Sequence, residues 1–208
     1  MRKRPKQKRS LQTLDDFYEA TAQLLQANET GAVTTNHIAR RAGFSIGTLY
    51  RYFPDKQAIL HGMARREMDR QETAAIAMLQ SVDETCPREL IRICAGFVVN
   101  SFGGRNHVRR RLILSMVNDR EVMKLILMAQ KSHVRVLRAL QELLTMRAPE
   151  RYRQLTDLQI EIAGAALSGA VRIATLSGPA IIEDPEFEKE VADLLERQFL
   201  RPQGETDI

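Results

Sequence analysis

The side chains best equipped for chemistry in this chain crowd into one short stretch, Ile38–Lys56, which reads IARRAGFSIGTLYRYFPDK. It offers Ser45, Thr48, Tyr50 and Tyr52 as hydroxyl donors and Arg40, Arg41, Arg51 and Lys56 as cations. No catalytic triad, metal-ligand spacing or phosphate-binding glycine pattern accompanies them. Donors without a catalytic partner suit an acceptor outside the chain. The phosphate oxygens of a nucleic acid are acceptors of that kind.

The elements that must hold these groups can be read from spacing. Ala39 and Gly43 stand four apart. A small residue at the first site lets a second helix come close, and glycine at the second supplies the left-handed backbone of a tight turn. Ile38, Ala42, Phe44, Leu49 and Phe53 give the apolar contacts between two short helices, predicted at about 35–42 and 45–52. This is the pattern of a helix-turn-helix, whose second helix enters the DNA major groove. Ser45 and Gly47 then lie where free backbone N–H groups favour an anion. Gly47 costs its helix roughly 1 kcal/mol against alanine, a cost that close approach to a sugar-phosphate strand would explain. Lys56 opens the following helix, where a cation opposes the dipole unless a phosphate is near.

Around this pair the chain reads as helices. One is expected at about 10–28, capped by Ser10, with Leu11, Leu14, Tyr18, Thr21 and Leu25 on its buried face. A long helix at about 56–80 follows "FPD", with Asp55 as its cap. Breaks at "TCP", "FGGRN", "VND", "RAPE", "LSGP" and "EDP" divide the remainder into amphipathic segments. Leu125, Met128, Ser132, Val136 and Leu140 mark one apolar stripe. The expectation is an all-α chain of nine helices with no sheet.

Charge is unevenly placed. Residues 1–70 hold 13 Lys and Arg against 7 Asp and Glu, and the rest hold 18 against 19. The positive excess is therefore N-terminal, and it points to a polyanion partner for the first third alone. Six of the bases fall in residues 1–9, read as a flexible basic arm. Two cysteines, Cys86 and Cys94, make no disulfide framework and suit a reducing compartment. No secretion signal is evident, and no apolar run reaches the ~18 residues of a membrane span. The best candidate, Ile160–Leu176, carries Glu161 and Arg172. A cytoplasmic protein without membrane partners is expected. His37, His61, His107 and His133 are scattered without ligand spacing, so neither a metal nor a cofactor is expected.

The segment TTNHIARRAGFSIGTLYRYFPDKQAIL resembles the DNA-binding segment of the TetR family of transcriptional regulators, most specifically over GTLYRYFPDKQAIL. The resemblance covers about residues 10–60. It implies a helix-turn-helix domain at 10–55 and an effector-binding and dimerisation domain at 56–208. It implies that Thr35, Tyr50 and Lys56 bind phosphate and that Asn36 reaches a base. Ile46, Gly47 and Thr48 would face base edges or backbone, with Arg51 and Tyr52 as variable contacts and Ser45 at the helix start. Ile46 offers only apolar contact, such as to a thymine methyl. The resemblance further implies a homodimer on a palindromic operator, a small-molecule effector, and repression relieved by that effector. Tyr52 is equally readable as core, and Arg40 and Arg41 as a solvated face.

For the larger domain, the small residues of EIAGAALSGAVRIATLSG and the stripe Phe187, Val191, Leu194, Leu195 and Phe199 suggest two helices that pair with their copies. Ordinary intrachain packing is the rival. Met116, Met123, Met128, Phe97 and Phe102 could line an apolar pocket but are more often core. Arg109–Arg111 read as a solvated face. An enzyme on a helical bundle is disfavoured, since no nucleophile elbow, Glu-x-x-His pair or dinucleotide loop occurs. A non-specific binder using the basic arm alone remains the other alternative.

Overall fold

The computed structural model describes residues 8–27, 33–82, 87–101, 106–116, 119 and 121–201. These residues form ten α-helices: α1 Lys8–Gln26, α2 Thr35–Arg41, α3 Ile46–Tyr52, α4 Lys56–Ser81 and α5 Pro87–Ser101. They continue as α6 His107–Leu114, α7 Val122–Arg147, α8 Asp157–Ser177, α9 Pro179–Ile182 and α10 Pro185–Phe199. No strand ladder occurs among the described residues, only one isolated bridge between Tyr152 and Leu200. The helix beyond the expected nine is α9. The break at "LSGP" stands, with Gly178 at φ 119°, but Pro179 then starts a single helical turn, as its fixed φ favours.

The chain divides into two compact units. The first takes residues 1–67 and 106–125, the second 68–105 and 126–208. The first unit is built on Phe17, which is fully buried. Its ring lies 5.2 Å from Phe44, 6.2 Å from Tyr52 and 6.1 Å from Phe53. Leu14, Leu24, Ile38, Ala39, Leu49 and Ile59 complete this core. Two expectations for α1 are corrected. Ser10 does not cap the helix, which begins at Lys8. Leu11 is 49% exposed, because at 100° per residue it sits about 120° round the helix from Phe17.

The second unit is a helical assembly whose core joins residues of α4, α5, α7, α8 and α10, including Leu90, Leu137, Leu140, Leu167 and Leu195. The stripe predicted on α7 is buried at Ser132, Val136 and Leu140. The Arg153 N–H donates to Phe199 O at 2.8 Å and ties the α7–α8 connection to the end of α10. Contrary to the sequence expectation, α8 is long and apolar enough to cross a membrane by length and composition alone. One face of it, from Ile160 through Leu167 and Val171 to Ala174, is buried in this unit.

Candidate nucleic-acid interface

Two short helices and a glycine turn position the hydroxyl groups. Thr34 caps α2, its hydroxyl accepting from the His37 N–H at 3.2 Å. α2 ends at Arg41, and Gly43 in the turn beyond it adopts φ 74°. A residue with Cβ is strained there, so the turn requires its glycine. Ala39 and Ile38 are buried beneath it, and the Phe44 N–H donates back to Ala39 O at 2.9 Å. Ser45 then caps α3, accepting from the Thr48 N–H at 3.1 Å. Asp55 caps α4 by accepting from the Ala58 N–H at 2.8 Å. Lys56 is thereby placed, exposed, at the first residue of that helix.

The predicted residues gather around two hydroxyl pairs. Ser45 Oγ and Thr48 Oγ1 lie 2.9 Å apart within α3. Thr35 Oγ1 and Tyr50 OH lie 3.3 Å apart and link the start of α2 to α3. A hydroxyl pair spends one proton internally and keeps the other for an outside acceptor. Each pair can therefore bind a phosphate oxygen while remaining intact. Asn36, Ser45, Ile46, Gly47, Tyr50, Arg51 and Lys56 are exposed, and Thr35 and Thr48 are half-buried. Tyr52 stands apart, half-buried with its ring against Phe17. Arg40 and Arg41 are exposed in the last turn of α2, as a solvated face requires. A methyl group built on Gly47 would meet only Ser45 Oγ, at 3.9 Å. Nothing in the chain's own packing calls for glycine at that position.

Elsewhere the reading changes. Arg109 and Arg111 are not a solvated face: Arg109 pairs with Glu67 at 2.9 Å, and Arg111 Nη1 donates to Leu25 O at 2.6 Å. The supposed methionine–phenylalanine pocket is divided, with Met116 and Met123 in the first unit and Phe97 and Met128 in the second. Met123 is 57% exposed, and Phe102 lies outside the described residues. No cluster of three metal-ligating side chains occurs among the described residues. Cys94 is buried, and burial pushes its thiol up to about 12; Cys86 lies outside the described residues.

Sequence reasoning missed the burial of His133, among other polar groups. His133 is fully buried in the second unit, hydrogen bonded to Ser168 through Nδ1 and to Ser101 through Nε2 at 2.7 Å. The Ser101 hydroxyl donates to Val98 O at 2.6 Å, so the imidazole must carry its proton on Nε2 and accept from Ser168. Burial lowers its pKa to about 4. Ser132, beside it in sequence, donates to Glu72 at 2.6 Å, and Glu72 also accepts from Arg135. Burial pushes that carboxyl up, but these two donors outweigh it and hold the group below its ordinary value. A groove of about 640 Å³ runs between α5 and α10. Arg88, Arg92 and Lys189 line it together with Glu188, Asp193 and Glu196, so it favours neither sign of ligand charge.

A glycine-turned helix pair with an outward set of hydroxyls and cations defines a helix-turn-helix DNA-binding protein. Residues 17–63 match the family described as "Bacterial regulatory proteins, tetR family". Those residues therefore carry the DNA-binding domain of the TetR family of transcriptional regulators. Solved structures extend the likeness to the fold of the whole chain. The fatty acid degradation regulator FadR from Bacillus halodurans is 19% identical, with a TM-score of 0.61, covering 88% of this chain and 97% of that one. FadR from Bacillus subtilis, solved in complex with stearoyl-CoA, is 16% identical at a TM-score of 0.60, covering 91% and 99%. RolR, solved with resorcinol, is 16% identical at a TM-score of 0.60, covering 92% and 89%. No curated protein sequence matches the chain.

Proposed function

We propose that this regulator is a cytoplasmic homodimeric repressor, released from a palindromic operator when a small molecule binds it. The carrying observation is the paired-hydroxyl surface. Thr35 with Tyr50 and Ser45 with Thr48 are placed to hold phosphates, and Lys56 adds a third phosphate contact. Asn36, Ile46, Gly47 and Arg51 are left to meet base edges or backbone, with Tyr52 contributing at most its rim. DNA reading falls to residues 10–55, and effector binding and dimerisation to 56–208.

Two further observations support the dimer and the effector. Leu158, Ile162, Ile173 and Leu176 of α8 and Leu194 of α10 are exposed, each by at least 41%. Such a row of aliphatic side chains suits a second copy of the same chain. Two-fold pairing would set the α3 helices about 34 Å apart, one turn of DNA. Structures of similar fold hold stearoyl-CoA and resorcinol, so a small organic effector fits the architecture. An effector favouring a different spacing of the two α3 helices would shift the population off DNA.

The test is fluorescence anisotropy with the duplex immediately upstream of the chain's own coding sequence, against a scrambled duplex, near physiological salt. Specific binding is expected to exceed non-specific binding by roughly 10³-fold or more, saturating at two protomers or a multiple. Thr48→Ala and Tyr50→Phe should each weaken binding about tenfold, the scale of a hydrogen bond to a charged group, with helicity unchanged. Unaltered affinity in both variants would refute the assignment of this surface. Equal affinity for the two duplexes would instead shift the binding to the basic arm.

A further inference from the structure

We propose that Arg111 is a positioning residue for operator binding, holding the DNA-reading helices to α6 by capping the end of α1 from 85 residues away. The inference rests on reading α2 and α3 as the DNA surface. The final carbonyls of a helix have no partner within it, and a cation there also suits the helix dipole. α1 has no basic residue in its own last turn. Arg111 of α6 supplies one, its Nη1 donating to Leu25 O at 2.6 Å and to Gln26 O at 3.1 Å.

Two more ties fix the same segment. Arg109 Nε meets Glu67 Oε1 of α4 at 2.9 Å, with both side chains about one-fifth exposed, at 21% and 23%. His61 Nε2 of α4 meets Asp119 Oδ2, just before α7, at 2.9 Å. Those last two atoms are buried and, among the described residues, have no hydrogen-bond partner beyond each other. A segment distant in sequence is thus joined to α1 and α4, within one compact unit. The consequence for DNA runs through α1. Its Phe17 touches Phe44, Tyr52 and Phe53, the residues that frame α3. A shift of α6 that pulls on the end of α1 therefore displaces the seat of α3.

Arg111→Met removes the cap and keeps the aliphatic stem. The bond to Gln26 O is exposed, so water can replace it there. Operator affinity should fall about fivefold or more, the lower range of allosteric couplings. The dependence of log affinity on log salt should keep its slope, since no phosphate contact is lost. Arg111→Lys, which can still donate to the same carbonyls, should recover part of the loss. Native-state hydrogen exchange gives a second reading that needs no DNA. In the wild type, α6 amides should open with those of α1, and in Arg111→Met they should exchange faster than α1. Wild-type affinity in Arg111→Met, a salt slope reduced by about one, or α6 amides opening with α5 and α8 in the wild type would each overturn the proposal. Failure of the wild type to prefer its upstream duplex would overturn the DNA reading instead, and hydrogen exchange would still decide the attachment of α6.

Discussion

The two units present opposite chemistry on their exposed helices and opposite chemistry in their cores. α3 shows hydroxyls and Arg51 to solvent above a core of aromatic rings. α8 shows Leu158, Ile162, Ile173 and Leu176 to solvent, while its inward face packs on a unit that buries His133. A polar surface over a greasy core is stable alone and awaits a charged partner. A greasy surface over a partly polar core has left apolar area in water, and covering it is favourable by about 25 cal/mol per Å². On the function proposed above, the contrast suits a different partner to each unit: DNA to the first, a second copy to the second.

The sharpest way to break the comparison is through the first core. Phe17→Ala removes the ring that three other aromatics contact, and should cost about 3–5 kcal/mol. Protection of α1–α3 amides in native-state exchange would report it. A loss below about 1 kcal/mol would mean that the aromatic cluster does not organise the reading helices.

The second core is expected to fail by acid. His133 is neutral and fully buried, with its pKa lowered to about 4, whereas an unfolded histidine titrates near 6.5. The unfolded chain therefore binds the proton more readily between those values. This contribution is complete above about pH 6.5 and is lost as the pH falls toward 4, to an extent on the order of 3 kcal/mol. Denaturant melts across that range should show the slope in the wild type and a flatter one in His133→Gln. Equal slopes would show that carboxylates, not His133, carry the acid sensitivity.

This asymmetry explains which parts were legible in the sequence. Short-range devices were readable. Gly43 at the turn, Ser45 at a helix start, Asp55 as a cap and Ala39 as the close-contact residue each act within about four residues. Contacts between distant residues were not. Phe17 became the centre of a core only when α2 and α3 folded onto it, although its place 120° from Leu11 follows from their six-residue spacing. Arg109 and Arg111 read as a surface run because nothing local reveals Glu67 or the end of α1 as partners. His133 looked like one of four idle histidines, since Ser101 and Ser168 lie 32 and 35 residues away. α9 escaped because a single turn has no periodicity to detect.

The smallest effects test the comparison at its glycines. Gly164 is demanded by its own unit, since a Cβ there would stand 2.9 Å from Val134 Cγ2. Gly164→Ala should therefore destabilise by about 1–3 kcal/mol through overpacking. Gly47 and Gly169 are different, because a Cβ on the first meets only Ser45 Oγ at 3.9 Å and on the second nothing within 4 Å. Each sits inside a helix, where alanine is better by about 1 kcal/mol. Each also lies on a surface that the proposed function gives to a partner. Gly169 falls at the middle of the row Leu158, Ile162, Ile173 and Leu176, in line with it at helical spacing. Gly47→Ala should raise the stability of the first unit and weaken operator binding. Gly169→Ala should raise the stability of the second unit and shift sedimentation toward monomer. A glycine kept against the preference of its own helix records an approach by something outside the chain. If both alanine variants gain stability and lose nothing in binding or assembly, the vacant positions carry no such meaning, and the apolar face of α8 would need a different partner.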